Sequence, residues 1–209
     1  MDVHQNEHGQ WVRTMYAYGK PNSRIRTEVD ATPMPREIAE LGVQCFLAVR
    51  HVLADVCKSS PPNHCQLLGY YGLFDSKIGR HKDDHTIQDY YDLLDGKKSI
   101  EEAINSSKGS MLAGSDVLIY SAGPLPVRFA WAFAPADDPF AKREMHEVHP
   151  HMTIDLRHGS LFVFKAIDDV RFFHEVCIDW KHSDVHPCDY RFAYVFRWLG
   201  EEQQYDFPV

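Results

Sequence analysis

The chain has 209 residues, 44% of them hydrophobic, and a formal net charge of -8. That length is enough for one buried core, so a single domain over residues 1–209 is expected. The acidic balance excludes a protein held to nucleic acid by bulk electrostatics, while leaving room for a small local basic patch.

Residues 1–10 (MDVHQNEHGQ) read as a mobile, polar end and lack the basic start and apolar core of a signal peptide. No apolar run of 18 residues occurs, so no membrane-spanning helix is expected. Cys45, Cys57, Cys65, Cys177 and Cys188 are an odd, scattered set that reads as reduced thiols. A cytoplasmic or nuclear protein is therefore expected.

From Trp11 to Ala31 the aromatics Trp11, Tyr16 and Tyr18 alternate with the cations Arg13, Lys20, Arg24 and Arg26. Aromatic faces stack on bases while cations take phosphates. The same residues also suit a hairpin half-buried on the core. Thr32-Pro33-Met34-Pro35 opens a helix, and Ile38, Leu41, Cys45, Val49, Val52 and Val56 recur at helical spacing, which predicts a helix over roughly 36–57. Ser59 to Asn63 is a loop by composition.

Strand-like runs follow at 66–72 and 77–83. Residues 85–115 change character: Tyr90, Tyr91, Leu93 and Leu94 suggest a short helix, and Ser99 with Glu102 forms a capping-box pattern. This stretch is expected to be a helical insertion. Strand patterns resume at 116–122, 126–134, 151–156, 160–165, 172–178 and 190–198. The expectation is a mostly β, α+β fold: a double-sheet jelly roll with an N-terminal helix and a helical insertion.

The chemistry centres on His81-Lys82-Asp83. In an extended strand, positions two apart share a face, so His81 and Asp83 can grip one ion while Lys82 looks away. His174, in Phe172-Phe173-His174-Glu175, is either a hydrogen-bonded core histidine or a third ligand. Two His and one carboxylate on one side of a metal make the facial triad of non-haem Fe(II) oxygenases. In the last strand, Arg191, Ala193, Val195 and Arg197 share one face, and Phe192, Tyr194 and Phe196 the other. If the small-residue face lines a cavity, two guanidiniums stand ready for a small dicarboxylate; if the aromatic face packs inward, they are solvated.

Taken together, the order His-x-Asp, then His, then Arg-x5-Arg resembles the AlkB family of Fe(II)/2-oxoglutarate dioxygenases, over roughly residues 12–199. The likeness extends to Leu67-Leu68-Gly69-Tyr70-Tyr71 before His81, to Ser121-Ala122-Gly123 with Phe129, and to Gly159–Phe164 followed by Arg171–His174. The resemblance implies that His81, Asp83 and His174 ligate Fe(II), and that Arg191 and Arg197 hold 2-oxoglutarate, with Tyr71 adding a hydroxyl. It implies a substrate-recognition lid at 11–35, with Tyr16, Tyr18 and Asp84 touching substrate. The activity it implies is oxidative demethylation of N-alkylated bases in DNA or RNA, consuming O2 and releasing succinate, CO2 and formaldehyde. Hydroxylation of a protein side chain or small molecule, and a non-catalytic β-sandwich that binds a ligand, are the alternatives. The chain departs from the family pattern at Gly69, His85 and Ala193 and in the length of the insertion after Asp84.

Among the remaining clusters, His146, His149 and His151 read as a solvated loop, and Asp168-Asp169 as a turn. Cys177, His182, His186 and Cys188 are competent zinc ligands at a spacing that matches no common zinc pattern.

Overall fold

The computed structural model describes residues 2–5, 11–19, 32–71, 78–83, 85–106, 111–123, 129–135, 152–178 and 189–200. These form a mixed α/β chain built on antiparallel sheets. Strands β1 (Asp2–Gln5), β2 (Trp11–Gly19), β3 (His64–Tyr71), β5 (Val117–Ala122), β8 (Leu161–Phe164) and β10 (Tyr190–Arg197) make a six-stranded sheet in the order β1-β2-β3-β10-β5-β8. A four-stranded sheet has the order β4-β9-β6-β7, from Ile78–His81, Phe172–Ile178, Phe129–Pro135 and Met152–Asp155 respectively. Residues 2–5, expected as a mobile end, pair antiparallel with β2. A polar edge strand carries no apolar alternation, so nothing in its sequence announces it.

The register of the large sheet sorts its side chains. Arg191 lies opposite Tyr70, Ala193 opposite Leu68 and Val195 opposite Gln66; on the other side Ala193 meets Ser121 and Val195 meets Ile119. Directly paired residues share a face. That face is the interior: Met15, Leu68, Tyr70, Ile119, Phe164, Ala193 and Val195 cluster with Val176 of β9 and Leu156 in one buried core. The small-residue face of β10 is thus turned inward, with Arg191 and Arg197 buried.

Helix α1 (Arg36–Val49) covers the opposite face. Its Cys45 and Phe46 pack with Leu118, Phe196 and Trp198 in a second core. Gly42 lets it approach closely, since a Cβ there would sit 3.0 Å from the Phe196 ring. The helix ends before residue 57, giving way to 3-10 turns at Arg50–Val52 and Asp55–Cys57. Leu53 between them is extended and fully inserted into the core, which breaks the helical run.

The stretch expected as a helical insertion holds two short helices among its described residues. In α2 (Ile87–Leu94), Thr86 caps the helix in a box with Asp89; in α3 (Ile100–Ile104), Ser99 does so with Glu102. Asp168-Asp169, expected as a turn, lies in the short helix α4 (Ala166–Arg171) between β8 and β9. Among the described residues no helix is long and apolar enough to cross a membrane.

Candidate metal centre

Antiparallel pairing of β4 with β9 sets His81 directly against His174. Cross-strand partners of this kind have Cβ atoms about 5 Å apart, and the two imidazole rings lie with centroids 4.2 Å apart. Asp83, two residues beyond His81, turns its Oδ1 into the same space, 3.4 Å from His81 Nε2 and 3.7 Å from His174 Nε2. One ligand atom from each of the three lies within 4.8 Å of the others. Neighbouring ligands on an ion held at 2.0–2.2 Å stand about 3 Å apart, and the two approaches to Asp83, 3.4 and 3.7 Å, are already close to that spacing. The residue types and spacing fit a divalent metal of the Fe(II) kind.

The surroundings prepare the donors for that role. His174 is completely buried, and its ring is held edge-on to Phe164 with centroids 4.7 Å apart. Burial, reinforced by the neighbouring His81, lowers its pKa, keeping the imidazole neutral as a ligand must be. For Asp83, burial pushes the carboxyl pKa up, but the Arg197 guanidinium and the facing imidazoles of His174 and His81 outweigh it, so the group stays well below the usual carboxylate range. His81, with a third of its side chain exposed, marks the open side of the centre.

Arg197 donates from Nη1 to Gln66 Oε1 at 2.8 Å and from Nη2 to Asp83 Oδ2 at 3.2 Å. It holds the carboxylate by one oxygen and leaves Oδ1 toward the histidines. Arg191 lies on the same face of β10, six residues earlier, with Nε donating to Ser121 Oγ. Burial brings its pKa down to about 10, still high enough to be a cation at neutral pH.

Tyr71, expected beside the co-substrate, pairs with Tyr190, whereas Arg191 pairs with Tyr70. Strict alternation therefore gives the interior position next to Arg191 to the buried Tyr70, and Tyr71 the outer face. The sequence alone does not decide this, because Tyr70 has the parity of Leu68 and Tyr71 that of the equally apolar Leu67. Tyr16 and Tyr18 pair with Leu67 and Cys65. They stack on each other, ring centroids 6.3 Å apart, on the α1 side of the large sheet, while Met15 and Ala17 take the interior. The candidate lid residues are thus turned away from the centre. Asp84, residues 20–31 of that stretch, the histidines at 146, 149 and 151, and His182, His186 and Cys188 lie outside the described residues.

Two residues not singled out for the site build its floor. Asp169 Oδ1 accepts the Asp83 N–H at 2.8 Å, and Oδ2 accepts the His85 N–H at 2.9 Å and faces His85 Nδ1 at 2.8 Å. His85 Nε2 in turn donates to the Ile104 carbonyl at 3.0 Å. Both ring nitrogens face acceptors, an arrangement satisfied by a proton on each. Lys82, between the two ligands, sends its ammonium the other way. It donates to the carbonyls of Asp169, Val170 and Phe172 and lies over the Phe173 ring, and burial lowers its pKa to about 8. A small cavity beside Asp83 and His85 is walled by Met111, Val117, Phe164 and Asp169.

Neither a protein-family model nor a curated protein matches this chain.

Proposed function

We propose that the chain is an Fe(II)/2-oxoglutarate dioxygenase of the AlkB kind, carried on a jelly-roll fold. The observation that carries this reading is the convergence of His81, Asp83 and His174 at one interior site, with two buried guanidiniums on β10 of the other sheet. His81, Asp83 and His174 would hold the iron. Bound there, iron supplies O2 activation coupled to oxidation of 2-oxoglutarate to succinate and CO2, and so the oxidation of a substrate C–H bond.

The chain's own residues supply position and charge. Arg191 offers a guanidinium fork in a dry interior, where a carboxylate binds bidentately and competes with little water. Arg197 clamps Asp83, so its role is to fix a ligand as much as to meet the co-substrate. Phe164 packs the buried side of His174, while His81 leaves the opposite side open for substrate entry.

Oxidative demethylation of an N-alkylated base in DNA or RNA, with release of formaldehyde, is the first substrate class. A base in a duplex would have to be flipped out to reach the centre. A second reading, hydroxylation of a protein side chain or small molecule, draws support from the placement of Tyr16 and Tyr18 on the far side of the sheet, which removes the stacking argument for a base.

The test is reconstitution with Fe(II), 2-oxoglutarate, ascorbate and O2, with succinate measured in the presence of methylated oligonucleotides, peptides and small amines. Asp83→Ala serves as the inactive control. Succinate that rises only with oligonucleotides identifies the first class, and stimulation by another member of the panel identifies the second. Absence of 2-oxoglutarate consumption by wild-type protein refutes the dioxygenase reading and leaves a non-catalytic metal- or ligand-binding protein.

A further inference from the structure

We propose that Asp169 is the positioning carboxylate of the metal centre, favouring the ligand tautomer of His174, fixing the turn that carries Asp83 and tying both to the helical insertion through His85. The inference rests on the metal-binding part of the reading above and assigns a role to a residue outside the ligand set.

His174 Nε2 faces Asp83, so it is the metal-side nitrogen and Nδ1 is the outer one. Nδ1 faces Asp169 Oδ1 at 3.8 Å, the same oxygen that accepts the Asp83 N–H. One carboxylate oxygen thus addresses two ligands at once. A metal-bound histidine needs its proton on the nitrogen away from the ion, and a carboxylate facing that nitrogen at this distance favours that tautomer by its charge.

The second oxygen, Oδ2, belongs to His85, through both its backbone N–H and its ring. His85 passes the connection on to the Ile104 carbonyl at the end of α3. Asp169 therefore joins α4, β9, the strand end after β4 and the insertion at one point. It is only 3% exposed. Burial raises its pKa, but the His85 hydrogen bond outweighs that and keeps it a carboxylate.

The test is a Co(II) titration of the apo-protein followed by the ligand-field absorption of the bound ion, which requires no turnover. Asp169→Asn keeps the side-chain shape and removes the charge. Loss of an outer-sphere partner of this kind costs roughly 10–100-fold in metal affinity, and that is the expected weakening. Asp168→Asn, its neighbour on the same helix, is expected to bind Co(II) as wild type does.

The double variant His85→Leu/Asp169→Leu separates positioning from mere neutralisation of His85. It removes the buried pair together, so apo stability is expected to recover relative to Asp169→Asn while Co(II) affinity stays weak. Should Asp169→Asn not fold, the double variant decides. Asp169→Asn binding within about threefold of wild type, wild-type affinity in the double variant, or an equal loss in Asp168→Asn overturns the proposal. So does a wild-type protein that takes up no Co(II). A wild type that binds Co(II) but consumes no 2-oxoglutarate overturns the dioxygenase reading alone.

Discussion

Replacing Arg191 by methionine should move stability and co-substrate affinity in opposite directions. The guanidinium is wholly buried, and burial brings its pKa down from the ordinary arginine value to about 10. At 1.36 kcal/mol per pKa unit, that corresponds to a penalty of about 3 kcal/mol for keeping the cation in the folded chain. The sign is fixed by the direction of the change. A base whose pKa falls on folding destabilises the fold in full below its folded value, and the penalty fades as pH rises above about 10. Melts at pH 7 therefore see all of it. Methionine fills a similar volume without charge and forfeits the charged hydrogen bond to Ser121, worth about 2 kcal/mol. A net gain of about 1 kcal/mol remains. In a chain of this size each kcal/mol shifts Tm by about 2–4 °C, so apo Arg191→Met should melt about 2–4 °C higher than wild type. Its affinity for 2-oxoglutarate should drop at least about 30-fold, because truncating one side of a buried charge pair costs 2–5 kcal/mol. Scanning calorimetry with and without 2-oxoglutarate reads both effects, since a ligand that binds only the folded state raises Tm. A variant that melts several degrees lower, or that keeps the wild-type response to 2-oxoglutarate, would refute the argument that this cation is held in place for a ligand.

Gly123 has φ +133°, and a Cβ there would lie 2.5 Å from the Tyr190 carbonyl and 2.8 Å from Arg191 Cα. Gly123→Ala should therefore cost at least about 2 kcal/mol in urea unfolding and weaken 2-oxoglutarate binding by displacing Arg191; a neutral result would show that β5 and β10 separate easily here. Asp89 is buried and accepts from Lys98, Ser106 and Thr86. Burial raises its pKa, but these partners hold it far below the usual carboxylate value. Asp89→Asn should cost about 2–3 kcal/mol at pH 7. A depressed carboxyl stabilises above its unfolded pKa and loses that contribution as pH falls toward its folded one. The gap in urea midpoints should accordingly narrow below about pH 4, and a gap that stays constant would remove the charge from the explanation.

The elements written in short-range chemistry were legible in the sequence. The Ser99 capping box concerns residues three apart, and the strand at 172–178 is set by its own composition; the Thr86 box with Asp89 went unread. Alternation along β10 showed which residues accompany Arg191 but not which face turns inward, because that depends on the partner sheet. The choice between Tyr70 and Tyr71 needed the β3–β10 register, a tertiary fact. Asp169 was harder still. Two consecutive aspartates near a strand suggest a turn, and only the folded chain brings His85 from 84 positions away to meet one of them. The end of α1 was misjudged because Val52 and Val56 keep helical spacing while the backbone at Leu53 has already become extended.

Lys82 has a consequence for how His81, at the end of β4, and Asp83, just beyond it, are presented. The strand has four residues, lies at a sheet edge and pairs irregularly between Ile78 and His81, all of which invite slippage. A shift of one place would bring an ammonium to the candidate metal position in place of the His81 imidazole. It would also pull that ammonium from the three carbonyls that now receive it. The middle residue of His-Lys-Asp thus acts as a ratchet tooth: it makes the one mispairing that would poison the centre the costliest for this strand to adopt.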